Sequence, residues 1–372
     1  MRTLGIEEEY LLLDPKTGLP VARATDIEDK LERTDSINRA EIQRELLNCQ
    51  IETATPICDT LTQAEESLLH FRRKLSAAAR RAGVCAAGTA AAPRIEAHYP
   101  ELTDKKRYHE LKASAPGIVG DQFVNGLHIH VGIPDRETGV RALNRIRPWI
   151  PVITALSGNS PFWLDRDSGF SSWRVVHYRR WAVQGIAPVF ADAADYERRI
   201  DAIAATGVII DRGVLTWMAR LSENYPTLEL RSSDAQLEAQ DAVLIGALTR
   251  GLVARAIEDA VADVPLFDPH PELLDAALWQ AARDGLTGQC VDLRAGALVP
   301  ARTRIGQLLD YIGSALDAAG DTDWVLAGLE SVWDQGTGAQ RQRRAMKSGG
   351  MAALLDLYRA TLTYEREPQW NP

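Results

Sequence analysis

The sequence predicts an α+β protein built on an antiparallel sheet with one polar face. Two observations carry that expectation. Four short apolar-flanked segments bear charged or histidine side chains at alternate positions: Glu7 with Glu9, Glu52, His128 with His130, and Glu229 with Arg231. Between them run stretches whose apolar residues recur at helical steps, the plainest being Leu61, Ala64, Leu68, Phe71, Leu75 and Ala79.

The first strand is expected over Gly5–Asp14. Its pleat sends Glu7 and Glu9 to one face and Glu8 to the other. Asp14-Pro15-Lys16-Thr17-Gly18 then reads as a turn. Ala40 to Thr55 holds a second acidic-apolar stretch, ended by Pro56, in which Glu52 alternates with Ile51 and Thr53. The helix from Leu61 closes at Gly83, and its Arg72-Arg73-Lys74 and Arg80-Arg81 read as a solvated face. Val84 to Thr89 is a short strand, followed by a loop to Leu102, and Gly126 to Ile133 is another strand. Arg141 to Trp163 is helical in pattern but interrupted by Pro148, Pro151 and Pro161. Asp167 to Arg180 reads as a polar, aromatic loop, and Asp195 to Ala205 as a short helix. Thr227 to Asp234 is a strand, Ala235 to Val264 a long helix, and Asp334 to Arg341 a flexible loop that turns basic. Neither a repeat nor a linker is evident, so a single domain over residues 1–372 is expected.

Composition narrows the function. The chain is 45% hydrophobic and 25% charged with a formal net charge of -9, which speaks against a broad nucleic-acid-binding surface. The four cysteines form no CxxC pair, as expected in a reducing, cytoplasmic setting. No signal peptide is recognisable, and no uncharged apolar run reaches the ~20 residues of a membrane span.

Carboxylates facing one another across neighbouring strands repel unless cations lie between them. A site rich in carboxylates with one or two histidines suits Mg²⁺ or Mn²⁺ better than zinc. His128-x-His130 also fits a zinc-dependent hydrolase, but that needs further histidines, and His70, His98, His109, His177 and His270 lie in no convincing apolar strand. A hydrogen-bonded core pair is the plainer reading of the two. A non-catalytic glutamate- or nucleotide-binding protein is a third possibility, because binding and catalytic sites share residues. Neither a Walker A sequence nor a dinucleotide fingerprint is present.

The order of motifs resembles the carboxylate-amine ligase family also called glutamate–cysteine ligase type 2. The matching segments are Gly5–Tyr10, Glu45–Leu47 with Gln50–Pro56, Gly126–Gly132, Arg147–Trp149, Leu156–Phe162, Arg166–Arg174, Leu228–Arg231 and Gly336–Arg344, which span nearly the whole chain. The resemblance implies a glutamine-synthetase-like antiparallel sheet forming a funnel, with helices packed outside. It implies ATP-dependent joining of the glutamate γ-carboxylate to the amine of cysteine through an acyl phosphate. Glu7, Glu9, Glu52, His128 and Glu229 fall at metal-ligand positions, with Glu45 as a further acidic candidate. Arg231 and Arg174 are expected to meet phosphate or substrate carboxylate, the alternative for Arg174 being a stack on Trp173 or Tyr178. Arg341 and Arg343, with Arg344, are expected to close over the nucleotide or else to face solvent. The expected partners are glutamate, an amine such as cysteine, and ATP, with no nucleic acid and no membrane; a homodimer is left open. Two departures stand out. Gly88-Thr89 is followed by Ala90-Ala91 where many members have His-Pro, and Asn125 stands where many have cysteine. Both leave the acceptor amine open.

Overall fold

The computed structural model describes residues 2–32, 41–96 and 99–366; His98 lies outside them. Seven strands form one antiparallel sheet: β1 Leu4–Leu13, β2 Ile42–Arg44, β3 Gln50–Ala54, β4 Cys85–Ala87, β5 Gly126–Gly132, β6 Ala219–Leu221 and β7 Thr227–Asp234. Their spatial order is β6-β7-β5-β1-β3-β2, with β4 paired to the second half of β1. The register sets Glu9 opposite Glu52, Glu7 opposite His128 and Glu229 opposite His130. Because side chains alternate, all six of these groups emerge on one face.

The other face is covered by helices. α1 Leu61–Arg81 starts with a capping box of Thr60 and Gln63. α2 Arg136–Ile146 and α3 Ile150–Ser157 are joined by a single 3₁₀ turn, Arg147–Trp149. Pro148 sits in that turn and Pro151 in the first turn of α3, positions where the missing N–H has no intrahelical partner to lose. The segment read as a loop over Asp167–Arg180 contains a short helix, α4 Trp173–Tyr178. Ser172 caps it, its hydroxyl accepting from the Val175 N–H at 3.3 Å. α5 Ala239–Val261 is buried along most of its length and packs on β1, β5 and β7. Leu4, Ile6, Leu127, Ile129, Val131, Leu228 and Leu230 form the sheet's side of that core. α6 Ala301–Ala319 lies against α5 from outside. The expected flexible loop at Asp334–Arg341 shrinks to Gly336 and Thr337. A second capping box, Thr337 with Gln340, opens α7 Gly338–Leu362, which is broken by a kink at Gly349 and Gly350. None of the helices among the described residues is long and apolar enough to cross a membrane.

One expectation fails in an informative way. Arg72 is not on a solvated face but is fully buried under the sheet, where it meets Glu8. Its guanidinium bonds both Glu8 carboxylate oxygens, at 2.5 and 3.0 Å, and donates to the carbonyls of Gln236 and Leu237 at 3.0 and 2.9 Å. Tyr10 completes the set by donating to Glu8 at 2.5 Å. The two carbonyls taken by Arg72 belong to residues just before α5, which begins at Ala239 rather than Ala235. The pair therefore ties α1, β1 and the entry of α5 together.

A buried pair that loses one member leaves an uncompensated charge, which costs about 3–5 kcal/mol. Arg72→Met should lower unfolding stability by about that amount, and adding Glu8→Gln should restore part of it. Urea denaturation with an intact slope checks this; a loss under about 1 kcal/mol in the single variant would show that the pair is not structural.

Candidate active site

The polar face gathers carboxylates that the chain would otherwise keep apart. Glu7 stands between the two histidines, 3.3 Å from His128 Nδ1 and 3.4 Å from His130 Nε2. Glu229 lies 3.9 Å from His128 Nδ1 and is clasped by two arginines. Arg231 pairs one of its oxygens and Arg220 Nε the other at 2.8 Å. Glu9 accepts the Gly126 N–H at 2.8 Å, and Glu45 accepts the Leu46 N–H at 2.5 Å. Gly126 gives these side chains room, because a Cβ would come within 2.5 Å of the Arg174 guanidinium and 2.9 Å of His128 Nε2 and force one of them to shift.

The electrostatics split the acids into two sets. Burial would raise Glu7, but hydrogen bonds from His128 and His130 overcome it and hold the carboxyl well below the usual range. Burial would also raise Glu229, and Arg231 and Arg220 reverse that, so it stays ionised. For Glu9 the compensation falls short: burial and then the Glu45 charge push it up to about 8 against the lowering effect of Arg174, the Gly126 N–H and Arg231. Burial likewise raises Glu45, and burial with Glu7, Glu45 and Glu9 nearby raises Glu52 well above its ordinary value. Burial and the Arg231 charge lower His128 to about 4, which leaves its imidazole neutral and ready to be a ligand.

Two groups of side chains can each converge on one ion. Glu7, Glu52 and His128 form the first; Glu7, His130 and Glu229 form the second; within each, one ligand atom per residue lies within 4.8 Å of the others. Glu7 belongs to both. Of the residues expected at metal positions, Glu7, Glu52, His128 and Glu229 thus come together. Glu9 and Glu45 stand beside the two groups without joining either. Among the described residues, His70, His109, His177 and His270 join neither group, so they do not form the histidine set that a zinc hydrolase needs.

Arg174 is buried with its guanidinium 4.7 Å over the Tyr178 ring, the stacked alternative, and it also donates to the Arg231 carbonyl at 3.2 Å. Its backbone is fixed by Asp234 at the end of β7. That fully buried carboxylate accepts from Asn159 N–H at 2.8 Å and from the Ser160 and Ser172 hydroxyls at 2.7 Å each; Ser160 Oγ accepts Arg174 N–H at 3.1 Å. Arg341 and Arg343 do not reach the carboxylate cluster. Arg341 is paired with Glu238, Arg343 with Asp167 at 2.7 Å, and the Arg344 guanidinium bonds the Gln335 carbonyl. Sequence reading missed Arg220, Asp234 and Gly126. The alternation Ala219-Arg220-Leu221 was the available signal for the first, since β6 puts Arg220 opposite Glu229.

Comparison with known proteins bears on what such a face does. The model of glutamate-cysteine ligase family 2 (GCS2) matches residues 3–358. The "Putative glutamate--cysteine ligase 2-2" of Mycolicibacterium vanbaalenii is 40% identical over 345 residues, covering 93% of each chain. The "Putative glutamate--cysteine ligase 2-1" of Saccharopolyspora erythraea is 39% identical, covering 93% of this chain and 90% of that one. Among solved structures, glutamate–cysteine ligase from Francisella tularensis in complex with AMP superposes with a TM-score of 0.69 at 12% identity, over 97% of this chain and 88% of that one. A bifunctional glutathione synthetase from Pasteurella multocida gives 0.68 at 14% identity, over 97% of this chain and 52% of that one. At such identities the two structures speak for the fold, a glutamate–cysteine-ligase-like α+β architecture.

The split in acidity predicts how the chelated protein responds to pH. A carboxyl whose folded pKa is raised binds its proton in the native state while the unfolded chain has lost it, so stability falls as pH rises through that window. For Glu9 the window runs from its ordinary 4.5 to about 8. Glu9→Gln, measured in chelator, should match wild type in melting temperature near pH 5 and exceed it increasingly toward pH 8. A variant that melts below wild type at pH 8 would show that the Glu9 charge is compensated in the fold.

Proposed function

The chain belongs to glutamate-cysteine ligase family 2, and from that premise we propose that it uses ATP to join the γ-carboxylate of glutamate to an amine, cysteine being the expected acceptor. The observation that carries this reading is the pair of ligand groups sharing Glu7 on one concave sheet face, with Arg231 and Arg174 at its edge. The donor chemistry fits Mg²⁺ or Mn²⁺: hard carboxylate oxygens dominate, burial raises the pKa of Glu9, Glu45 and Glu52 so that a bound cation would favour their ionised forms, and the buried His128 Nε2 has no hydrogen-bond partner among the described residues. Glu7, Glu52 and His128 would hold one ion, and Glu7, His130 and Glu229 a second. Such ions neutralise the phosphate oxygens of ATP and polarise the γ-phosphorus.

Two cavities flank the cluster and suit the nucleotide and an amino-acid substrate. One of about 510 Å³ opens at the Glu7 and His130 end between Leu4, Ile57, Ile133 and Tyr225, an apolar mouth suited to a purine. The other, about 120 Å³, lies at the Glu45 end beside Arg107, Tyr108, Trp181 and Arg231, where a small amino acid meets positive charge. The reacting atoms then meet between them. A γ-carboxylate oxygen attacks the ATP γ-phosphorus, the bond to the ADP oxygen breaks, and an acyl phosphate forms. The amine nitrogen attacks the acyl carbon, loses a proton, and phosphate leaves with the former carboxylate oxygen. Arg231 contributes a fixed guanidinium against the charge on the transferring group, a role for which fixed donors are worth about 10²–10³ in rate. Nothing here needs a covalent bond to the protein; the work is positioning and charge neutralisation.

Oxygen-18 in the γ-carboxylate of glutamate tests the scheme. One labelled oxygen should appear in phosphate for each amide bond made. Phosphate carrying only solvent oxygen during amide formation would rule out the acyl phosphate, and phosphate release without amide would instead indicate a hydrolase.

A further inference from the structure

A second polar cavity lies outside the helices, walled by none of the seven sheet strands. It measures about 430 Å³, within the ~300–1,000 Å³ range of small-molecule sites. Its floor is a parallel stack of Trp149 on Tyr311, centroids 5.3 Å apart at 15°. Arg304 lies over Trp149 at 4.8 Å and Arg255 over Tyr311 at 5.5 Å, so the aromatic pair orients two guanidiniums. Arg145 and Arg294 complete the cationic wall.

Of the three acids in this wall, Asp259 and Asp292 are already satisfied, while Asp310 is exposed. Asp259 takes Arg255 Nε at 3.0 Å and the Tyr311 hydroxyl at 2.8 Å. Asp292 takes Gln307 at 2.9 Å and the N–H groups of Arg294 and Ala295 at 2.9 and 3.1 Å. The arginines are only partly matched: Arg255 pairs with Asp259, Arg304 bonds Gln307 and lies 3.7 Å from Asp292, and Arg294 has no ion pair among the described residues. Arg304 is 5% exposed, yet its buried Nε has no hydrogen-bond partner among the described residues. A buried guanidinium N–H without an acceptor is costly, more so than a neutral donor. Arg145 is buried enough that desolvation, and then Arg141, lower its pKa, and the polar contacts of its side chain are backbone carbonyls of Arg141 and Val264. Four arginines against three aspartates leave the lining net positive, with Arg294 free of any ion pair among the described residues, which suits an anionic acceptor.

We propose that this cavity binds a small organic polyanion, its charge carried by phosphate or carboxylate groups, at a site separate from the one that carries the ligase chemistry. The inference does not rest on the substrates proposed above. Forked guanidiniums match both oxyanion types, and the volume asks for more than one such group. Arg294 supplies the unpaired guanidinium, with Arg255 beside Tyr311 and Arg304 over Trp149 adding positive charge around it.

Calorimetric titration of the full chain with inorganic pyrophosphate and, separately, with citrate tests this, with no divalent metal and ionic strength matched by sodium chloride. At least one should bind saturably with one site per chain, and which one binds identifies the anion type. Affinity should fall at least tenfold in Arg294→Gln and in Arg255→Gln, two substitutions outside the buried core. Arg231→Lys, in the catalytic cleft, should leave the affinity unchanged. Absence of saturable binding by either anion would overturn the proposal. So would binding that survives both cavity substitutions, or binding lost in Arg231→Lys.

Discussion

The Glu8–Arg72 pair and the open row of Glu7 and Glu9 are two consequences of one pleat. Side chains on β1 alternate, so three consecutive glutamates are divided between opposite faces. The one facing the helices is matched by a buried arginine, a tyrosine hydroxyl and a position next to two carbonyls that share the same guanidinium. The two facing the cleft have no such partner from below. A shift of β1 by one residue would exchange these environments, burying two unmatched acids among Leu and Ala side chains and exposing the matched one. Register is therefore fixed by charge as firmly as by apolar packing, and the same register aligns Glu7 with His128 and Glu9 with Glu52.

That division explains why the cleft is poised rather than collapsed. Glu7 and Glu229 are held ionised by histidines and arginines, while Glu9, Glu45 and Glu52 resist ionisation because burial and mutual repulsion oppose it. A face with this balance attracts divalent cations, since each ion relieves repulsion that the fold has imposed. The rest of the scaffold serves to hold the positive groups still. Asp234 anchors Ser160 and Ser172, these fix the start of α4, and α4 carries Arg174 to the carbonyl of Arg231. The catalytic arginines of the proposed reaction thus belong to one hydrogen-bonded unit.

Much of this was legible in the sequence. The four polar-faced strands and the same-face pairing of Glu7, Glu9 and Glu52 follow from period-two patterns, and the glutamine-synthetase-like class is what the family resemblance implied. What was not legible depended on contacts between distant segments. Arg72 looks like one of several basic residues on a helix until Glu8, 64 positions earlier, is placed beneath it. Arg220 acquires meaning only when β6 pairs with β7. The helix Trp173–Tyr178 is too short for periodicity to show, and capping by Ser172 decides it. The resemblance implied that Arg341 and Arg343 close over the nucleotide, with a solvent-facing run as the alternative; the segment is helical from Gly338, and their charges go to Glu238 and Asp167.

The central claim is that Glu7 is shared between two ion positions. Electron paramagnetic resonance counts bound Mn²⁺ directly, without need of substrate or turnover. Titration of the purified chain should show two ions per molecule, with Glu52→Gln and Glu229→Gln each losing one and Glu7→Gln losing both. Two ions retained in Glu7→Gln, or the same single loss in all three variants, would contradict the account.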